Sequence, residues 1–157
     1  MPRIEESITI AAATADTFRF CHDIARRPEW DERVMSVKLL SPEPVRRGTL
    51  LRIDAAHAGK FSFTWDAEYT DFQFPHSSKL WVIDAAPSSP FDAGSESWQF
   101  HSTSGGARFT LVWDYRLRGI LARVADALGR RRSTRRAIQR SLTNLKAKIE
   151  SGRGAGA

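Results

Sequence analysis

The chain has 157 residues, 41% of them hydrophobic, with a net charge of +6 and a single cysteine. That length supports one core burying about two-thirds of the unfolded surface without a metal or disulfide staple, and the lone Cys21 has no internal partner, which fits a reducing compartment. With no run of ~20 apolar residues and a start, MPRIEESITI, that lacks the basic and apolar regions of a signal peptide, a soluble cytoplasmic protein is expected.

Arg3–Ala12 alternates apolar and polar side chains and predicts a strand. Thr14 is placed to cap a short helix that carries Phe18, Cys21 and Ile24 at helical spacing. Pro28 opens a second helical turn through Glu29, Trp30 and Asp31, because proline is tolerated at a first helical position. Val34–Leu40 reads as a strand closed by Ser41-Pro42-Glu43-Pro44. Beyond Gly48, strands are expected over Thr49–His57, Lys60–Phe74, Ser78–Ala85, Ser95–Ser102 and Arg108–Arg118. Short turns at Ala58-Gly59, Pro75-His76 and Ser104-Gly105-Gly106 argue for an antiparallel meander. Ala86–Gly94, with two prolines and Phe91, reads as a longer mobile loop.

Past Gly119 the period changes. Leu121, Val124, Leu128, Ile138, Leu142, Leu145 and Ile149 fall on one helical face. Gly129 weakens that helix, and Arg131 and Arg135 interrupt its apolar side, so a kink, or a segment leaving the body, is expected over 129–135. Residues 1–151 read as one domain and 152–157 as a flexible Gly/Ala-rich tail.

The aromatic pattern is the most informative feature. In Lys60–Tyr69, Phe61, Phe63, Trp65, Ala67 and Tyr69 share one face, while Ser62, Thr64, Asp66 and Glu68 share the other. Phe109, Leu111, Trp113, Tyr115 and Leu117 repeat the arrangement, and Trp98 and Phe100 share a face on the strand between. One side of the sheet is thus ring-rich and needs a cover. The C-terminal helix is the long element available, so Phe63, Trp65, Trp98 and Trp113 are expected to face it. The rings either fill a solid core or line a hollow that one helix does not fill.

Chemistry is harder to find. Asp66, Glu68 and Asp114 lie on wet faces, where Arg52, Arg108 and Arg116 are natural cross-strand partners. The four histidines do not cluster; His57 alone shares the parity of Leu51, Ile53 and Ala55 and is placed to reach a cavity mouth. No Cys/His spacing suggests a metal, and no phosphate loop or dinucleotide fingerprint suggests a cofactor. Cys21 reads as a core residue. Tyr69 and Tyr115 are the best polar candidates on the inner face.

Ile8-Thr9-Ile10-Ala11-Ala12 leading into Thr14–Asp23, then Arg27-Pro28-Glu29-Trp30-Asp31, Pro44-Val45-Arg46-Arg47-Gly48-Thr49, the glycine turn into Phe109–Arg118, and Gly119-Ile120-Leu121-Ala122-Arg123-Val124 carry a resemblance over residues 3–150. The chain resembles the START-related helix-grip (SRPBCC) superfamily, in its polyketide cyclase/dehydrase-like branch. The resemblance implies an α+β helix-grip fold: a curved antiparallel sheet of about seven strands, two short helices, and a long C-terminal helix over the concave face. It also implies a hydrophobic cavity between sheet and helix, used in relatives for lipids, polyketides, quinones or hormones. Carried over by position, the lining is Phe61, Phe63, Trp65, Tyr69, Trp81, Trp98, Phe100, Phe109, Leu111, Trp113 and Tyr115, with Leu121, Val124 and Leu128 from the helix and Trp30 near the entrance. Carriage of a small apolar ligand is the first expectation, and a cyclase/dehydrase acting on an aromatic polyketide-like substrate is the second. Fold alone does not choose between them.

Charge is unevenly spread. Residues 1–115 carry twelve basic and sixteen acidic side chains, whereas from Arg116 onward twelve basic ones face only Asp126 and Glu150. Arg130, Arg131, Arg132, Arg135, Arg136 and Arg140 form a cluster that is either a solvated helix face or a docking surface. An anionic membrane or a protein partner would be attracted to it. Nucleic acid is disfavoured, because no aromatic is interleaved for base stacking.

Overall fold

The computed structural model describes residues 1–57 and 61–155. In chain order the elements are β1 (Arg3–Ile10), α1 (Thr14–Cys21), a 3-10 turn (Ile24–Arg26), α2 (Arg27–Trp30), β2 (Val34–Leu39), β3 (Leu50–His57), β4 (Phe61–Gln73), β5 (Ser77–Ala85), β6 (Phe91–Thr103) and β7 (Gly106–Leu117). After these come α3 (Gly119–Ala125), a wide turn (Asp126–Arg130) and α4 (Arg131–Ala155).

Seven antiparallel strands form one curled sheet in the order β1-β7-β6-β5-β4-β3-β2. The chain crosses over once, from β1 at one edge to β2 at the other, and α1 and α2 make that crossing. Everything from β2 to β7 is a meander, as the short turns require. At the last turn Gly106 has φ 128°, and a Cβ there would meet the Ile10 carbonyl oxygen at 2.1 Å, so only glycine fits.

The helix-grip architecture follows from the two periodicities. α4 packs against β1 and α2, burying Ile138, Leu142, Leu145 and Ile149 over the concave face. Its C-terminal half is fixed to β1's exit: Lys146 Nζ donates to the Thr9 carbonyl at 2.9 Å, and the Ala11 amide donates to Glu150 at 2.9 Å. Trp65, Tyr69, Trp98, Phe100, Phe109, Leu111, Trp113 and Tyr115 are all buried on the inner side. On the wet face Arg52 Nε meets Asp66 at 2.9 Å as expected, whereas Arg116 Nε takes Asp92 at 2.8 Å and Asp114 lies 3.5 Å from Arg3.

Three local expectations need correction. Ala13, not Thr14, precedes α1, because the backbone leaves the extended region one residue early; Thr17 Oγ1 then donates back to the Ala13 carbonyl at 3.0 Å. β6 begins at Phe91 rather than Ser95, since Phe91 pairs with Leu117 and shrinks the expected loop to 86–90. The C-terminal apolar stripe is not one face: Gly129 leaves helical geometry, and the large apolar residues of α3 face solvent while those of α4 are buried. The Ala58-Gly59 turn and the side chains of His57 and Phe61 lie outside the described residues. Among the described residues no helix is long and apolar enough to cross a membrane.

Candidate ligand cavity

At the end of the sheet where β3, β4, β6 and β7 meet the start of α4 lies a cavity of about 230 Å³. Its floor is aromatic. Phe63 and Phe91 meet edge to face at 5.4 Å, Phe91 and Trp113 at 5.3 Å, while Trp65 and Trp113 lie 5.9 Å apart. Gly94 makes this floor possible, because a Cβ there would sit 2.8 Å from the Trp113 ring. The roof is Ser133, Thr134 and Ala137 of α4. These are small, whereas the next turns present Ile138, Leu142, Leu145 and Ile149. The hollow exists because the helix lacks side-chain volume over the rings at this end and supplies it at the other.

Two ionic clusters wall the cavity. On one side Arg27, buried on α2, donates from Nη2 to Glu96 of β6 at 2.6 Å and to Asp31 at 3.1 Å. Arg33 Nη2 reaches Asp31 at 2.8 Å and Glu96 at 2.9 Å. Trp98 Nε1 donates to Glu96 at 2.8 Å, and Ser141 of α4 donates to Asp31 at 3.4 Å. Burial pushes the Asp31 carboxyl up, but the Arg33 and Arg27 guanidiniums outweigh it and hold the group at about 2. Two guanidiniums thus face two carboxylates, and the cluster joins α2, β6 and α4.

On the other side Tyr115 donates its hydroxyl to buried Asp126 at 2.7 Å, and Arg131 Nε donates to the same carboxylate at 2.9 Å. Burial, then Asp126, pushes the Tyr115 phenol well above its ordinary value. Its proton is committed. Every carboxylate and phenol lining the cavity thus has a partner. Of the charged lining residues Arg130 alone makes no ion pair among the described residues. This arrangement offers an apolar bed, a cation without an ion pair at Arg130, and two buried donors without a partner, Arg27 Nη1 and Trp65 Nε1.

Of the residues singled out in the sequence, Phe63, Trp65, Trp113 and Tyr115 line the cavity. Tyr69, Trp98, Phe100, Phe109 and Leu111 face the same way but are packed solid against one another and α1; Phe100 meets Phe109 at 4.9 Å and Phe18 at 5.0 Å. Tyr69 is buried away from the hollow, with its hydroxyl unpartnered. Trp30 is not at an entrance: it is 1% exposed and packs 5.7 Å from Trp98. Trp81 is on the outer face, because Leu80 and Val82 on either side point inward; Lys79 covers its ring at 5.5 Å. Leu121, Val124 and Leu128 are exposed and do not roof the cavity. Phe61 lies outside the described side chains.

Arg27, Arg33, Glu96 and Asp126 were not singled out. Glu96 carried a signal, since it shares the strand parity of Trp98 and Phe100 and so puts a carboxylate on the ring-rich face. Arg27 and Asp31, four apart, were another. Elsewhere Cys21 is buried and burial raises its thiol far out of the reactive range. A wider but open groove lies outside the body between α1 and β2, near Val37, Phe72 and Phe74.

The family described as "Polyketide cyclase / dehydrase and lipid transport" matches residues 1–150. No curated protein matches the chain. Among solved structures, TTHA0849 from Thermus thermophilus is similar at 18% identity, with a TM-score of 0.80, over 96% of this chain and 99% of that one. The Zhui aromatase/cyclase from Streptomyces sp. R1128 is similar at 16% identity and a TM-score of 0.77, over 95% and 93%. The di-domain ARO/CYC StfQ of the steffimycin biosynthetic pathway aligns at 16% identity and a TM-score of 0.73, over 97% of this chain and 51% of that one. At these identities the likeness is one of fold.

Proposed function

This chain belongs to the polyketide cyclase/dehydrase and lipid transport family, and from that membership together with its cavity we propose that it binds and carries a small hydrophobic molecule. The carrying observation is the contrast between the hollow's floor and its walls. Rings and aliphatic side chains offer an apolar bed, while the carboxylates and the phenol of the wall are already engaged with neighbouring residues. A guest that fits lays its apolar body over Trp113 and Phe91 and turns an oxygen-bearing end toward Arg130, Ser133 and Thr134. The family and the ring-lined floor also admit the cyclase/dehydrase reading, but catalysis needs a proton donor or acceptor aimed at the guest. Here Tyr115 and the carboxylates are engaged elsewhere.

Two further parts belong to this reading. The arginines at the start of α4 meet an anionic membrane surface from which cargo is exchanged, and the protein works in the cytoplasm. Support for the second is a lone, buried, free thiol at Cys21. Native mass spectrometry of protein isolated from its own host tests the carriage. The expected spectrum contains a complex heavier than the bare chain that collapses to it on denaturation. A spectrum holding the bare chain alone contradicts the proposal.

A further inference from the structure

The helix expected to roof the cavity is inside out. α3 turns Ala122 toward the core and leads into buried Asp126, while its large apolar residues face solvent: Leu121 is 86% exposed, Leu128 82%, and Ile120 and Val124 are exposed beside them. Soluble proteins rarely leave contiguous apolar patches uncovered without a use for them. This orientation is also held in place. Asp126 bonds Tyr115 at 2.7 Å and Arg131 at 2.9 Å, so rolling the leucines inward would pull a buried carboxylate out of both bonds.

Along residues 116–149 the exposed charge has one sign. Arg118, Arg123, Arg132 and Arg136 are exposed, and none makes an ion pair among the described residues. Asp126, the acidic residue of this stretch, is buried and spent. A second copy of the chain would bring two such arginine sets together, which like charges oppose. An anionic lipid surface satisfies both features at once, taking leucines into its acyl boundary and arginines at its headgroups.

We propose that α3 and the turn after it are an insertion element that docks the protein on anionic bilayers, with Ile120, Leu121, Val124 and Leu128 in the membrane. This goes beyond electrostatic attraction of the α4 arginines: binding has an apolar part that survives salt. Arg130 and Ser133, on the next turn, belong to the cavity rim, so docking holds the mouth against lipid. That last consequence rests on the carriage reading; the docking does not.

The test is co-sedimentation with vesicles of phosphatidylcholine, with and without phosphatidylglycerol, at low and high salt. The wild type is expected to pellet with the anionic vesicles, weakened but not released by salt. Leu121→Asp/Leu128→Asp and Arg123→Gln/Arg132→Gln/Arg136→Gln are each expected to lose about tenfold or more in affinity at low salt. Both variants are expected to keep the wild-type melting temperature and the binding of naphthol, a bicyclic apolar probe of the cavity with one hydroxyl, because they touch neither core nor cavity. The docking proposal is overturned if the wild type stays in the supernatant, or if the leucine variant pellets as well as the wild type. It is equally overturned if sedimentation velocity shows a dimer that Leu121→Asp/Leu128→Asp dissolves, which would assign the stripe to a second copy. Vesicle binding without naphthol binding would defeat the carriage reading and leave docking standing; the reverse would defeat docking alone.

Discussion

Drawn as a single helix, the C-terminal sequence places Leu128 and Leu142 on one apolar stripe, yet Leu142 is 2% exposed and Leu128 lies in solvent. The wide turn at Asp126–Arg130 separates them, and Gly129 supplies the break. On the α4 side, Leu142 and its neighbours fill the concavity and the rings beneath them pack solid. On the α3 side the apolar face is turned out, and the roof is left to Ser133, Thr134 and Ala137. One end of the molecule is therefore core and the other a hollow, although the sheet is equally aromatic beneath both. Rings alone do not decide between core and cavity; the volume of the residues facing them does.

Breaking the wall between the two ends has the largest effect. Glu96→Ala leaves Arg27 and Arg33 short of a partner in a dry site and strands the Trp98 indole N–H, so a loss of about 3–5 kcal/mol is expected in urea unfolding. A loss below about 1 kcal/mol would mean that water reaches the cluster. Leu142→Ala removes packing from the closed end and is expected to cost about 2–5 kcal/mol in the same assay.

Acid sharpens the comparison next, because His22 lies under the closed end. Its Nδ1 lies 2.7 Å from the Phe18 carbonyl and its Nε2 2.8 Å from Ser78 Oγ, and burial, aided by the Arg27 charge, holds its pKa at about 4. The unfolded chain takes up this proton first, near pH 6.5, so stability present at neutral pH is lost as pH falls from about 6.5 to about 4. The expected loss is on the order of 3 kcal/mol, and His22→Gln should remove that slope. A second fall, from about pH 4 toward 2, belongs to Asp31, whose depressed pKa stabilises the fold above that window. A wild-type profile that is flat between pH 6.5 and 4 would contradict the buried, neutral His22. The smallest effect is at the open end: Leu128→Ala is expected to change stability by less than about 0.5 kcal/mol. A cost near that of Leu142→Ala would show that α3 folds inward in solution.

Much of this was legible beforehand. Period-two alternation in β4 and β7 gave the inner face, the short turns gave the meander, and Pro28 gave α2. Trp81 enters the expected lining through the resemblance alone, whereas parity along β5 gives the inward positions to Leu80 and Val82. The orientation of α3 has a tertiary cause: helical periodicity finds an apolar stripe but not the direction it faces, and the bond that Tyr115 donates to Asp126 holds that direction. Glu96 was readable from its parity with Trp98. The division of one ring-rich face into core and hollow was not, since it depends on which α4 residues lie over which rings.

A crystal structure of the protein soaked with naphthol tests the central claim most directly. The account expects the bicyclic ring against Phe63, Phe91 and Trp113, beneath Ser133 and Thr134, with its hydroxyl toward Arg130. Naphthol found only in the open groove beside Phe74, or a hollow closed by its own side chains with no guest inside, would contradict it.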